Sequence, residues 1–273
     1  MTKHRAFLKW AGGKYLLLDS IHRHLPEGDC LVEPFVGAGS VFLNIDYPTY
    51  ELADVNADLI NLYNIIKYRS TDFITDARFF FTEKGNQSEI YYARRQEFNQ
   101  SRDPYLRALL FLYLNRHGYN GLCRYNLSGQ FNVPFGRYKK PYFPEAELVW
   151  FAERSQKANF TCRSYDESMQ QASSGSVIYC DPPYAPLSVS SNFTSYHTNG
   201  FSLDQQQHLA QIAVELAQKK SIPVLISNHD TAMTRLWYQQ AVLHQVQTRR
   251  SISRSNNGRV KINELLAVFA ADQ

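Results

Sequence analysis

The sequence predicts an α/β fold, one sheet with helices on its faces and a separate region inserted part-way along the chain. Two observations lead there. Short apolar or β-branched runs alternate with helix-patterned stretches at both ends of the chain. Between them, from Thr71 to Phe151, the pattern changes: helical as far as Asn115, then crowded with Gly118, Gly121, Gly129, Pro134, Gly136, Pro141 and Pro144. The expected division is residues 1–70 with 152–273 as one core domain, and residues 71–151 as an inserted domain. A chain of 273 residues, 44% apolar and with 18 Tyr and 17 Phe, has the material for both.

In chain order, the expected strands are Cys30–Val36, Tyr50–Val55, Asn159–Cys162, Ser176–Cys180, Ile222–Ser227, Leu243–Thr248 and Ile262–Ala267. The expected helices are Ser40–Asp46, Asp58–Tyr68, Leu203–Lys219 and Thr231–Tyr238. Within the insertion, Pro104 opens a well-spaced apolar helix.

A formal charge of +4 tilts the protein mildly toward polyanions, though many ordinary enzymes are as basic. Cys30, Cys123, Cys162 and Cys180 are scattered, without a C-x-x-C pair or His at zinc-like spacing. They read as buried thiols in a reducing compartment, and no metal is expected. The apolar run after the basic N-terminus is too short for a signal peptide, and no stretch nears the roughly 18 apolar residues of a membrane span. The expectation is a soluble cytoplasmic protein.

Residues 33–40, Glu-Pro-Phe-Val-Gly-Ala-Gly-Ser, join the first strand to a helical pattern. Gly37 and Gly39 suit a sharp turn at which backbone approaches a ligand, and equally a plain strand-to-helix turn. Asp54 closes the second strand, where nucleotide-binding α/β folds hold ribose hydroxyls; Asp54 or Asn56 could instead cap the next helix. Phe42 occupies the place of a third glycine, which disfavours a pyrophosphate and favours an adenosine with a non-phosphate tail. Upstream stands Trp10-Ala11-Gly12-Gly13-Lys14, otherwise an N-terminal loop with a surface lysine.

The fourth strand runs into Asp181-Pro182-Pro183-Tyr184, beyond the carboxyl end of a strand where α/β sheets bind ligands. The two prolines lack N–H groups and present rigid acceptor carbonyls. An amine conjugated to an aromatic ring is a poor nucleophile. Acceptors at the Asp181 carboxylate and the Pro182 carbonyl would bind its two hydrogens and leave electron density on nitrogen. Tyr184 offers a flat face for an extruded base. The bland alternative is a rigid turn with a solvent-facing Asp.

The ordered set Trp-Ala-Gly-Gly-Lys, Glu-Pro-Phe-Val-Gly-Ala-Gly-Ser, Ala-Asp-Val-Asn and Asp-Pro-Pro-Tyr resembles the Dam family of bacterial DNA adenine-N6 methyltransferases, across essentially the whole chain. The resemblance implies an S-adenosylmethionine-dependent methyltransferase fold, a seven-stranded, mostly parallel, Rossmann-like sheet with an inserted helical and β-hairpin target-recognition domain. It implies methyl transfer from S-adenosylmethionine to adenine N6 in duplex GATC by base flipping. Trp10, Lys14 and Asp54 would then contact the cofactor, with Phe35, Gly37, Gly39, Ser164 and Tyr165 around it. Asp181 would border both cofactor and target adenine, with Pro182 and Tyr184 as its catalytic partners. A monomer is expected, associated with the nucleoid and serving mismatch repair and replication control.

From Pro104 to Pro144 there is no Asp or Glu, while Arg107, Arg116, Arg124, Arg137, Lys139 and Lys140 interleave with aromatics. Arg124 to Val133 reads as a hairpin turning at Ser128-Gly129, a ribbon fit for a major groove, or else a solvated loop. The resemblance places Lys9 and Tyr138 at the first base pair, Leu122 and Pro134 at a thymine methyl, and Arg124 on a guanine. Tyr119 and Asn120 would fill the gap left by the flipped base. Arg95, Arg116, Asn126, Asn132, Arg137 and Lys139 would meet the backbone or flanking positions. A second basic run, Arg249, Arg250, Arg254, Arg259 and Lys261, is either a loop over DNA or a surface hairpin. The polar segment Ala185–Gly200 is either a cover for the target base or plain loop. Two other chemistries share these features: methylation of cytosine N4, or of an RNA or protein amide. A DNA-binding module without turnover and an NAD-dependent oxidoreductase are readings from other classes.

Overall fold

The computed structural model describes residues 3–186, 201–249 and 261–270. Seven strands form one sheet: β1 (Cys30–Glu33), β2 (Thr49–Asp54), β3 (Ala158–Cys162), β4 (Ser176–Cys180), β5 (Val224–His229), β6 (Val242–Arg249) and β7 (Lys261–Phe269). Their order is β3-β2-β1-β4-β5-β7-β6. β1 pairs in parallel with β2 and β4, and β4 with β5; β7 runs antiparallel to both β5 and β6. The strand segments expected from sequence all form, with ends shifted by a few residues.

Eight α-helices are described: α1 (Leu18–His24), α2 (Ala57–Arg78), α3 (Ser88–Gln100), α4 (Pro104–His117), α5 (Glu145–Ser155), α6 (Tyr165–Gln170), α7 (Leu203–Lys220) and α8 (Ala232–Trp237). Compact packing divides the chain into two units. The first comprises Met1–Tyr15, Gly37–Asn44 and Asp54–Cys162; the second comprises Leu16–Val36, Ile45–Ala53 and Arg163–Gln273.

In the first unit, α2 begins where the Asn56 side chain accepts the N–H groups of Asp58 and Leu59, each at 3.1 Å. Its first segment ends at Tyr68, as expected, because Arg69 leaves helical dihedrals (φ −139°, ψ 38°), and a second helical segment follows the kink to Arg78. α4 starts on Asp103, whose carboxylate accepts from Tyr105 N at 2.9 Å, with Pro104 in the first turn. Every residue of α4 from Ala108 to His117 is buried, so this helix is the core of its unit.

In the second unit, all five residues of β4 are buried, as a strand covered on both faces must be. The core combines Val32, Ile178, Cys180, Ile226, Leu265 and Ala267 of the sheet with Leu209, Ala213 and Leu216 of α7. α7 opens with a reciprocal cap, in which Ser202 Oγ accepts from Gln205 N and Gln205 Oε1 accepts from Ser202 N.

Two expectations need correction. Ser40–Asp46 is a single turn and not a helix, closed by Leu43 N to Gly39 O (2.9 Å) and Asn44 N to Val41 O (3.0 Å). The Ser40 carbonyl is taken by the Asn44 side-chain amide (2.8 Å), and past the turn the Tyr50 hydroxyl donates to Ile45 O (2.9 Å) and accepts from Tyr47 N (2.8 Å), with Pro48 following. The cysteines are all free, but only Cys180 is buried; Cys162 is exposed, and Cys30 and Cys123 lie between.

Candidate functional site

The glycine turn after β1 and the tip of β2 are tied together inside the first unit. Gly37 N donates to Asp54 Oδ2 (3.1 Å), and Asn56 N to Asp54 Oδ1 (2.9 Å). Burial raises the Asp54 carboxyl, while backbone donors at Asn56, Gly37 and Val55 work against the rise. The Tyr63 hydroxyl donates to Gly37 O from the other side of the turn. Gly37 has φ +46°, and a Cβ there would lie 3.0 Å from Trp10 Nε1. Only glycine therefore lets the Trp10 indole close onto this turn. Gly39 likewise has a positive φ, +70°. Lys14 is not a surface lysine: it is buried, and its ammonium donates to Gly12 O at 2.6 Å. Trp10, Lys14, Gly37, Gly39 and Asp54 thus belong to one unit, in which Trp10 and Asp54 meet the glycine turn and Lys14 bonds the neighbouring Gly12 carbonyl.

In the second unit, Phe35 stacks on Tyr165 with centroids 5.4 Å apart and planes 17° apart. Phe201 meets both rings edge-on at 5.6 and 5.2 Å. The Tyr165 hydroxyl lies 3.0 Å from His208 Nδ1. Ser164 caps α6, sharing Glu167 Oε2 between its N–H (3.2 Å) and its hydroxyl (2.8 Å). Its local structural role, which the sequence reading did not weigh, is therefore helix capping.

The loop leaving β4 is built on buried polar anchors. Pro182 is buried, Asp181 and Tyr184 partly so, and Pro183 is exposed. Gln206 of α7 donates to Pro183 O (2.6 Å) and accepts from Asn228 Nδ2 (2.9 Å). Asn228 Oδ1 accepts from Ala185 N and His229 N, both at 2.9 Å. His229 Nδ1 meets Ala185 O at 2.7 Å; a carbonyl only accepts, so that nitrogen carries the hydrogen. The Tyr184 hydroxyl donates to Glu264 Oε2 (2.7 Å), and its ring stands edge-on to His229 at 4.8 Å. Burial, then Asp181 and Glu264, push the Tyr184 phenol well up. Sequence reasoning missed Gln206, Asn228 and Glu264, which bear no motif and act by bonding the loop from neighbouring elements. Residues 187–200 of the polar segment lie outside the described residues.

The acid-free stretch sorts into two kinds of basic residue. Arg107 is paired with Asp58, and Arg116 is buried, donating to Tyr142 O (3.1 Å) and Phe7 O (3.3 Å). Arg124, Arg137, Lys139 and Lys140 are exposed. Lys9 and Tyr138 come together, the ammonium 3.8 Å from the ring centroid. Burial, then Arg116, lower the Lys9 ammonium. Asn115 fixes this corner, accepting from Lys9 N (2.9 Å) and donating to Lys9 O (2.8 Å) and Gly121 O (3.1 Å). At Gly121, φ is +63° and a Cβ would stand 2.2 Å from that of Lys9, so a side chain there would expel Lys9.

Tyr119, Asn120, Leu122, Asn126 and Pro134 are exposed, and Asn120 holds a left-handed φ of 53°. Arg137 shares that conformation, also at 53°. Arg95 donates to Val133 O (3.0 Å), beside Pro134. Tyr119 N donates to Pro134 O (2.8 Å). The hairpin forms as one antiparallel bridge, Tyr125 with Phe131, around a turn in which Asn126 Oδ1 accepts from Ser128 N and Gln130 N. Arg124 Nε donates to Asn132 Oδ1 at 2.7 Å. Of the second basic run, Arg250, Arg254 and Arg259, with the side chains of Arg249 and Lys261, lie outside the described residues.

Among the described residues no helix is long and apolar enough to cross a membrane, and no three His, Cys, Asp or Glu side chains are grouped to hold a metal ion. Comparison with known proteins finds close relatives. A DNA adenine methylase of Serratia marcescens is 65% identical over 269 residues, 98% of this chain and 100% of that one. One from Escherichia coli (strain K12) is 65% identical, over 98% of this chain and 96% of its own length. A DNA adenine methylase of Vibrio cholerae is 59% identical, over 98% and 97%. Among solved structures, a conserved hypothetical protein of Streptococcus pyogenes aligns over 95% of both chains at a TM-score of 0.33 and 8% identity, too slight a likeness to inform the fold. The family model for D12 class N6 adenine-specific DNA methyltransferases matches residues 10–252, and the chain belongs to that family.

Proposed function

We propose that this protein is a site-specific DNA methyltransferase that moves a methyl group from S-adenosylmethionine to adenine N6 in duplex GATC, acting on a flipped base. The observation that carries the reading is the Asp181–Tyr184 loop, which leaves a fully buried β4 in a chain of the N6-adenine family. The cofactor residues fit the group: a glycine turn closed by Trp10 and a carboxylate at Asp54 suit an adenosine, and the arrangement lacks the third glycine of a pyrophosphate cradle. Trp10, Lys14, Phe35, Gly37, Gly39, Asp54, Ser164, Tyr165 and Asp181 are the proposed cofactor residues. When bound, S-adenosylmethionine supplies an electrophilic sulfonium methyl.

The Asp181 carboxylate and the Pro182 carbonyl accept the two hydrogens of the adenine amine, which leaves its lone pair available for attack. Tyr184 stacks on the flipped base. Its hydroxyl is held on Glu264, which sets the plane of the ring. Lys9, Arg95, Arg116, Tyr119, Asn120, Leu122, Arg124, Asn126, Asn132, Pro134, Arg137, Tyr138 and Lys139 serve DNA recognition, directly or by shaping the surface. Residues 71–151 form its main part. The proposed setting is a cytoplasmic monomer on the nucleoid, marking strands for mismatch repair and replication control.

The test digests treated plasmid with methyl-sensitive and methyl-dependent GATC endonucleases, for wild type and Asp181→Ala. Wild type is expected to protect GATC sites from the first enzyme and expose them to the second. Asp181→Ala is expected to do neither while still binding a GATC duplex. A wild type that binds GATC duplex without transferring methyl would replace this reading with that of a binding module; an active Asp181→Ala would remove Asp181 from the mechanism.

A further inference from the structure

The hairpin around Arg124 is too slight to hold its own shape. One bridge pair joins its arms, flanked by Asn126 N to Gln130 O (2.9 Å) and Asn132 N to Arg124 O (3.0 Å). An isolated two-stranded hairpin is marginal in water. Here each member of the bridge pair is tied to a helix of the same unit. The Tyr125 hydroxyl donates to Asp58 Oδ2 at 2.7 Å. Asp58 Oδ1 accepts from Arg107 Nε and Nη2 at 3.0 and 2.6 Å, and Arg107 Nη1 donates to Phe98 O (2.7 Å) and Ser101 O (2.9 Å). One carboxylate near the start of α2 is thus locked by α4 and the end of α3, and presents its second oxygen to the hairpin.

On the other arm, Asn99 of α3 accepts from Phe131 N (2.8 Å) and donates to Phe131 O (3.1 Å), closing both backbone groups of that residue. The Tyr125 and Phe131 rings meet edge-on at 5.7 Å. Asn56, which caps α2 and bonds Asp54, also donates to Cys123 Sγ at 3.4 Å. Arg124 therefore sits between two anchored residues, with its side chain across the hairpin on Asn132.

We propose that Asp58 and Asn99 are positioning residues for sequence reading: they clamp the two arms at the Tyr125–Phe131 pair and so set the register in which Arg124 meets a base. The inference rests on the hairpin being the recognition element. A charged acceptor for a phenol is a strong, directional bond, suited to fixing a register. Burial, then Cys123 and Asp58, push the Tyr125 phenol far up, so it remains a donor throughout the working pH range. Neither Asp58 nor Asn99 need touch DNA to affect which DNA is methylated.

The experiment measures kcat/KM of the full-length protein on a GATC duplex and on duplexes altered at one base pair. It compares wild type, Tyr125→Phe, Asn99→Ala, Arg124→Ala and the Arg124→Ala/Tyr125→Phe double variant. Arg124→Ala is expected to reduce discrimination at one base pair by about tenfold or more. Tyr125→Phe and Asn99→Ala are expected to reduce it at the same pair. In the Arg124→Ala background, adding Tyr125→Phe should change the ratio by less than about twofold, since residues acting through one contact are not additive. A general loss of structure would lower all duplexes alike and leave the ratio unmoved.

If Arg124→Ala leaves discrimination intact, the hairpin is not the reader and the functional reading of it fails. If Arg124→Ala relaxes discrimination but Tyr125→Phe does not, or does so additively, the clamp is overturned while the reader stands. Should Tyr125→Phe not fold, as judged by circular dichroism, Asp58→Asn, which keeps an acceptor but loses the charge, carries the same test and the same outcomes.

Discussion

Asp54 and Lys14 show what a single residue discloses before its neighbours are known. The acid at the end of β2 was legible from its place at the strand end, whereas the backbone donors that hold it, Gly37 and Asn56 among them, come from chain geometry that composition does not encode. Lys14 reads as exposed by type and is buried, because its ammonium finds the Gly12 carbonyl. His117 was not legible at all. It is fully buried at the end of α4, between the Tyr113 and Phe81 rings, with Nδ1 donating to Tyr113 O (3.0 Å). Among the described residues its Nε2 has no hydrogen-bond partner. Burial lowers its pKa from 6.5 to about 4, helped by Arg116 and Lys9 and opposed by the Tyr113 carbonyl. The folded state thus holds a neutral imidazole that the unfolded chain protonates near pH 6.5. The stability this gives is complete above pH 6.5 and is lost as pH falls toward 4, by roughly 3 kcal/mol at 1.36 kcal/mol per unit. His117→Leu is expected to flatten that part of the profile, whatever its stability at pH 7. Chemical denaturation at steps between pH 7 and pH 4 checks this; parallel losses in wild type and variant would show that His117 does not drive the acid response.

At the scale of elements, the alternation of strands and helices was readable because each buried segment must present an apolar face or run, and β4 and α7 do so apart from Ser176 and Gln206. The turn at Ser40 carried the same apolar spacing and did not become a helix: the Asn44 side chain claims the Ser40 carbonyl, and Tyr50 of the following strand bonds the chain where a helix would have to continue. Tertiary competition of this kind leaves no local trace. α7 shows the reverse: its caps and apolar face were visible, but its polar Gln206, only 1% exposed, was not recognisable as the prop of the Asp181–Tyr184 loop. Gln206→Leu removes the donor to Pro183 O and one of the two acceptors of the buried Asn228 amide, leaving it only the Tyr238 hydroxyl. The expected cost is about 1–3 kcal/mol of stability, with turnover falling by roughly tenfold as the Pro182 carbonyl loses its fixed place. Urea unfolding and steady-state turnover at saturating cofactor and duplex are the measurements. A destabilised variant with unchanged turnover would make Gln206 a structural residue only.

Over the whole molecule, function is divided between features of different legibility. The motifs proposed for methyl transfer are short, contiguous and set at strand ends, so they could be read from the chain. The proposed DNA surface is spread over side chains whose exposure only the fold determines. The acid-free stretch from Pro104 to Pro144 suggests six cations for DNA, yet Arg107 and Arg116 are spent on Asp58 and on backbone carbonyls. Arg124, Arg137, Lys139 and Lys140 remain exposed there. With Arg124 assigned to a base, the other three are available to phosphates, and counterion release at about 0.9 per phosphate gives this stretch a salt slope of roughly −3 in log K against log salt. Lys139→Ala is expected to make the measured slope shallower by about 1 and to weaken binding evenly on GATC and altered duplexes. Arg116→Gln should differ, lowering thermal stability because its guanidinium is buried on the Tyr142 and Phe7 carbonyls, with any loss of DNA affinity following from that. Fluorescence anisotropy across a salt series, with thermal melts of each variant, separates the two. A Lys139→Ala protein with an unchanged slope would remove that lysine from the phosphate contacts, and a selective loss on GATC duplex would move it to base reading.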